Sequence, residues 1–213
     1  MTRLPALLLS AMLVCLALFA LPALAAAPVE GTDYAIIDGG QPLAPAKAGR
    51  IEVVEVFAYS CGHCARFAPA LEAWKARQRK DVQLAYLPLA RGRDDALALG
   101  FFATQATGQL ARVHGPLFVA IHDTGSLPGN PTVDELAGWY GQRGLDGARL
   151  KAAMQAPALA DRLAAARQFA LRSGVEGTPT LVIDGRYRIL GRTLEQYLAN
   201  ADAVIAMIRA GRR

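Results

Sequence analysis

The chain has 213 residues, 53% of them apolar and 19% charged, with a formal net charge of +5. That much apolar material at so low a charge density supports a buried core and excludes a disordered chain, and the length suits one domain, or one domain carrying a large insertion. The basic residues are spread without a block, which excludes a dedicated nucleic-acid binder, and three cysteines (Cys15, Cys61 and Cys64) are too few for a disulfide-stapled mini-protein.

Residues 1–27 read as an export signal. Arg3 gives a positive start, Ala6 to Leu21 is apolar but for Ser10, and Ala23-Leu24-Ala25 and Ala25-Ala26-Ala27 offer small-x-small cleavage sites. An uncleaved membrane anchor is the alternative, since about 20 apolar residues span a bilayer, but Pro22 and the alanine-rich end favour cleavage. Lipoprotein processing at Cys15 fits poorly, because Val14 stands where a small residue is expected. Cleavage removes Cys15 and leaves two cysteines, three positions apart, in a compartment where disulfides persist.

Pro28 to Arg50 is rich in Gly, Pro and Ala and reads as an extended arm with an edge strand at Tyr34–Ile37. Ile51–Tyr59 is β-branched and apolar, a buried strand. A helix over 62–79 follows, with Phe67, Leu71 and Trp74 at helical spacing and Pro69 expected to kink it. Val82–Leu87 is a second strand, so the unit is strand–helix–strand with a parallel pair and a right-handed crossover. Residues 93–173 carry helical patterns at 94–107, 109–123, 132–144, 146–154 and 156–173, with Pro131-Thr132-Val133-Asp134-Glu135 as a helix start. Thr180–Ile183 and Tyr187–Leu190 are short strands joined by the turn signal Asp184-Gly185, and Thr193–Ala210 is a final amphipathic helix. The order βαβ, helical block, ββα describes an α/β sheet domain, residues 28–92 and 174–213, interrupted by a helical insertion at 93–173.

Cys61-Gly62-His63-Cys64 places a C-x-x-C pair at a strand-to-helix junction, a redox signature. The spacing lets the sulfurs bond reversibly across one helical turn. The helix N-terminus aims unpaired N–H groups and positive dipole at Cys61, so Cys61 is expected to ionise below an ordinary thiol, with His63 as a second cationic or hydrogen-bonding partner. Stabilising the thiolate stabilises the reduced pair and makes the protein an oxidant of others. Zinc would need two further ligands; there is no second C-x-x-C, and His114 and His122 lie in the helical block with no evident partner. A structural disulfide would close too short a loop to constrain the chain. Phe57, Tyr59, Phe67 and Trp74 read as core or rim packing, and Phe101, Phe102, Leu117 and Phe118 as core of the insertion.

The segment VVEVFAYSCGHCARFAP, with Glu55 six residues before the first cysteine, the C-x-H-C centre and Pro69 five residues after the second, resembles the active-site segment of the DsbA family of thiol:disulfide interchange proteins. The resemblance extends over the whole mature chain in order, with one departure: Gly62 stands where the best-known centres of that family have proline. It implies a thioredoxin fold and a periplasmic oxidase that donates its Cys61–Cys64 disulfide to reduced, unfolded exported proteins. It also implies a DsbB-like membrane quinone reductase for reoxidation, a monomer, and no bound cofactor or metal. Thr178-Pro179 falls where thioredoxin-fold proteins carry a cis-proline, and a cis turn there would offer the Thr178 backbone to an extended substrate strand. Glu55 could face solvent from its strand, but buried near Cys64 it would exchange a proton with that thiol. A disulfide isomerase or reductase is the second enzymatic reading, and a chaperone-like binding module the non-enzymatic one.

Overall fold

A computed structural model describes residues 27–45 and 47–211, so the export signal expected at 1–27 lies, apart from Ala27, outside the described residues. In chain order the elements are β1 (Tyr34–Ile36), β2 (Ile51–Phe57), α1 (Gly62–Arg77), β3 (Val82–Pro88), α2 (Ala96–Ala106), α3 (Leu110–Phe118) and a π-helical turn (Val119–Asp123). There follow α4 (Val133–Gly141), α5 (Gly147–Met154), α6 (Pro157–Arg172), β4 (Thr180–Ile183), β5 (Tyr187–Ile189) and α7 (Leu194–Gly211). The strands form one sheet in the order β1-β5-β4-β2-β3. β2 and β3 are parallel, as strands joined by a crossover helix must be, and the other pairs are antiparallel.

Side-chain alternation along β2 divides the core. Ile51 and Val53 face Phe67, Leu71 and Trp74 of α1 and Ala201, Val204 and Ile205 of α7. Val54 and Val56 face the helical block, where Phe101, Leu117, Leu136 and Phe169 are buried. Both faces of β2 are therefore covered, which is why its sequence reads as a nearly unbroken apolar run. Side-chain contacts fasten the outer layer: Trp74 Nε1 donates to Asp202 Oδ1 at 2.8 Å, and the Arg209 guanidinium pairs with Asp81 through two bonds of 2.8 Å.

Local chemistry sets the element ends. Asp95 and Asp146 cap α2 and α5, and α4 begins where the Pro131–Glu135 segment leads one to expect, closed there by a full capping box of Thr132 with Glu135. The helix expected over 109–123 is instead an α-helix to Phe118 followed by the π-helical turn, with Thr124 N–H bonding to Val119 O at 3.0 Å. Pro116 lies inside α3, and Pro69 inside an α1 that is continuous from Gly62 to Arg77.

The three-residue β4–β5 connection, 184–186, has φ of 48° at Asp184 and 65° at Gly185, left-handed values that Asp and Gly tolerate best. A Cβ on Gly185 would run into the backbone of Gln41 and Pro42, so the turn is also the seat of the N-terminal arm. Gly185→Ala is expected to lower stability by about 2–4 kcal/mol through strain and clash together, read from the urea unfolding midpoint; a loss below about 0.5 kcal/mol would contradict this seating.

Candidate active site

β2 ends at Phe57, earlier than the Tyr59 expected, because the chain must turn into α1: Cys61 N–H closes the turn on Ala58 O at 3.1 Å. Cys61 is the N-cap of α1, with extended dihedrals, and its Sγ accepts from the Cys64 backbone N–H at 3.4 Å. A sulfur thus holds the place that Ser, Thr, Asp or Asn usually takes. Both cysteines are free thiols; Cys61 is partly exposed and Cys64 fully buried.

Their environments drive the two thiols apart. At Cys61, burial pushes the pKa up, but hydrogen bonding with Thr178, with the Cys64 backbone N–H and thiol, and with the His63 backbone N–H outweighs it and holds the thiol below its ordinary value. Of these the Thr178 side chain lowers it most, followed by the backbone N–H groups of the first turn; the Thr178 carbonyl lies 3.3 Å from Cys61 Sγ and accepts its proton in the neutral form. At Cys64, burial dominates and pushes the thiol far up. The exposed His63 contributes its backbone N–H to Cys61.

Glu55 is 1% exposed, and its Oε1 has no hydrogen-bond partner among the described residues. Its register partners are Tyr86 on β3 and Leu181 on β4, so it lies on the sheet face covered by α1, the helix whose buried side begins at Cys64. Burial, then the charges of Glu72 and Cys61, raise its pKa to about 8. The solvent-facing alternative for Glu55 is thereby excluded. Thr178-Pro179 is a cis peptide beside Cys61. Gly62 occupies the first helical position, where a Cβ would lie 3.7 Å from Arg66 Nη1 and 4.0 Å from His122 Nδ1, so space does not demand glycine there. Pro69 is on the outer face of α1, lining a groove of about 1090 Å³ between that helix and α3.

The two histidines without an evident partner in the sequence do have one, and it is the same residue. Tyr59 OH bonds to His114 Nδ1 at 2.8 Å, and the Tyr59 carbonyl accepts from His122 Nε2 at 2.7 Å. His114 is buried among Phe57, Tyr59, Tyr86 and Phe118, and burial lowers its pKa to about 4, so it stays neutral. Together they clamp the residue two positions before Cys61. The signal was the i, i+4, i+8 stripe His114, Phe118, His122; the target of that stripe was not readable.

Residues 52–201 match the DSBA-like thioredoxin domain family. The thiol:disulfide interchange protein DsbA of Pseudomonas aeruginosa PAO1 is 31% identical over 208 residues, covering 96% of this chain and 97% of the relative. That of Burkholderia cepacia is 32% identical over 165 residues, covering 76% of each. The crystal structure of oxidoreductase DsbA from Xylella fastidiosa superposes with a TM-score of 0.82 at 42% identity, over 87% of this chain and all of that one.

Glu55 yields a stability prediction. Its folded pKa of about 8 stands above the ordinary 4.5, so between those values the native state binds the proton more than the unfolded state and stability falls as pH rises. In the reduced protein, Glu55→Gln removes that fall. Relative to wild type the variant should gain several kcal/mol between pH 5 and pH 8, at about 1.4 kcal/mol per pKa unit. Urea unfolding at the two pH values measures it, and parallel curves would contradict the burial of an ionisable carboxyl.

Proposed function

The chain belongs to the DSBA-like thioredoxin-domain family and is a thiol:disulfide oxidoreductase, and from that premise we propose that Cys61 is its attacked sulfur, Cys64 its resolving thiol and Glu55 the proton carrier between them. The observation that carries this reading is the opposed environment of two sulfurs on one helical turn: Cys61 caps the helix in reach of solvent, and Cys64 is sealed beneath it.

In the oxidised state Cys61 and Cys64 are joined. A substrate thiolate attacks Cys61 Sγ, a mixed disulfide forms, and the Cys61–Cys64 bond breaks with its electron pair going to Cys64. A thiolate at that buried position is costly, so Cys64 takes a proton at once, and Glu55, protonated below a pKa of about 8, supplies it. The second substrate thiolate attacks the substrate sulfur of the mixed disulfide and expels Cys61, which leaves as the helix-capping thiolate. Glu55 then regains a proton from solvent, so that substrate has lost two electrons and two protons, the enzyme keeps the electrons and one proton (on Cys64), and the other proton stays in solvent. A stabilised leaving thiolate favours both speed and direction.

His63 adds its imidazole to the positive field of the first turn, and Thr178 with Pro179 presents backbone to an extended client strand. Gly62 and Pro69 belong to the motif as framework of α1. Clients are proteins, and the reduced enzyme is reoxidised by a partner. We further read that partner as a DsbB-like quinone reductase, the working form as a monomer, the location as the periplasm after cleavage near residue 27, and residues 93–173 as an insertion between the two parts of a thioredoxin-like domain (28–92 and 174–213).

The variants Cys61→Ser and Cys64→Ser test the roles. In a reduced-peptide oxidation assay both should lose activity by at least about 1000-fold, in line with removal of a covalent nucleophile, but only Cys64→Ser should accumulate a mixed disulfide when mixed with a disulfide-containing peptide. Trapping by Cys61→Ser instead would reverse the two assignments.

A further inference from the structure

We propose that the cleft beside Thr178-Pro179 selects clients that carry a carboxylate close to the reacting cysteine, with Arg66 and Arg192 as the selecting residues. This rests on the oxidoreductase reading above and names the client class that it favours.

Openings lie on either side of the first turn of α1, one lined by Gly62 and the other by His63, and they differ in charge. The groove on the α3 side is mixed, with Arg66 and Arg143 set against Glu72 and Asp123. The cleft on the other side, about 370 Å³, has Thr178 and Pro179 as one wall, His63 and Arg66 from α1, and Arg192 and Tyr197 from the β5–α7 corner. Among the described residues no carboxylate lines it. The nearest acids in sequence are Glu176 and Glu195; Glu195 is engaged at its own helix start, where its backbone N–H and the Thr193 hydroxyl hold its carboxyl low.

Arg66 and Arg192 are exposed, and neither forms an ion pair among the described residues. The Arg192 backbone is fixed, its N–H bonded to Gln196 Oε1 at 2.8 Å, so the side chain is presented from a set position. Arg66 lines both openings, and its Nη1 lies 3.7 Å from where a Gly62 Cβ would stand, over the start of the active-site helix.

A client strand laid along Thr178 brings its cysteine to Cys61 and its flanking residues over these guanidinium groups. Guanidinium groups without a counter-ion match carboxylates in geometry and charge. A concave site of one sign also concentrates segments of the other and speeds their arrival. The carboxylate takes no part in the sulfur chemistry; it sets which thiols reach it.

The test uses the oxidised mature protein and three dithiol peptides that differ only at the residues flanking the cysteine: aspartate, serine or lysine. At low ionic strength kcat/KM for the aspartate peptide should exceed that for the lysine peptide by roughly tenfold, and the ratio should shrink as salt rises. The double variant Arg66→Gln, Arg192→Gln should bring the ratio to about one. Arg167→Gln, an exposed change on α6, should leave the ratio as in wild type. Equal wild-type rates for the charged peptides, or a ratio that persists in the double variant, would overturn the proposal. Failure of wild type to oxidise even the serine peptide would instead overturn the oxidoreductase reading, and the proposal with it.

Discussion

A sulfur stands where a helix expects an oxygen. The first backbone N–H groups of any helix lack partners within the helix, and in α1 one of them, on Cys64, is answered by Cys61 Sγ at 3.4 Å. A side-chain cap contributes about 1 kcal/mol, and a negative charge at a helix N-terminus adds about 0.3–1 kcal/mol at exposed sites and up to about 2 where partly buried. Both gains fall to the thiolate. Both shrink when Cys61 gives up its charge to a disulfide. The helix is therefore better capped in the reduced protein than in the oxidised one, and that difference is an oxidising tendency: for a two-electron couple each 1.4 kcal/mol corresponds to about 30 mV.

The same turn makes the partner sulfur unlike the first. Cys64 opens the buried face of α1 that continues through Phe67, Leu71 and Trp74, so desolvation acts on it without donors enough to compensate. One helical turn thus separates a thiol that ionises readily from one that resists ionisation. Beneath lies Glu55, the buried acid of a strand otherwise chosen for apolar burial, with an oxygen that bonds to no protein group among the described residues. Such a carboxyl destabilises the fold whenever it is ionised, and burial on the face covered by the active-site helix raises its pKa to about 8. The fold also fixes the approach to Cys61. Tyr59 is gripped at its hydroxyl by His114 and at its carbonyl by His122, and Thr178 closes the other side. The π-helical turn, Val119–Asp123, carries His122 to that carbonyl, in keeping with the tendency of such widened turns to occur at functional sites.

Much of this was legible in the chain because the signals were local. Strand β4 and the Asp184-Gly185 turn, the Thr132 helix start and the order of the helices follow from periodicity, caps and turn chemistry within a few residues. The C-x-x-C pair at a strand-to-helix junction was local too. What sequence could not place were the contacts of Tyr59 with His114 and His122, 55 and 63 positions away, while Thr178, 117 positions from Cys61, was placed beside the sulfurs only through resemblance. Glu55 was readable as a carboxyl in an apolar strand, but which face it took depended on the register with Tyr86 and Leu181. The end of α3 at Phe118 was hidden because an α-helix and a π-helical turn share nearly the same apolar spacing over one turn. The cleft with its uncompensated arginines draws on α1, the Thr178 loop and the β5–α7 corner, and no single stretch of sequence announces it.

The central claim is that the protein holds its reduced sulfur pair in the more comfortable state, and the equilibrium of the mature protein with glutathione redox buffers measures that directly. The account predicts a potential on the oxidising side of about −200 mV, among or above the values of protein disulfide isomerases. A value near about −270 mV, where thioredoxin stands, would show that capping the helix with Cys61 does not favour the reduced pair, and would contradict the account.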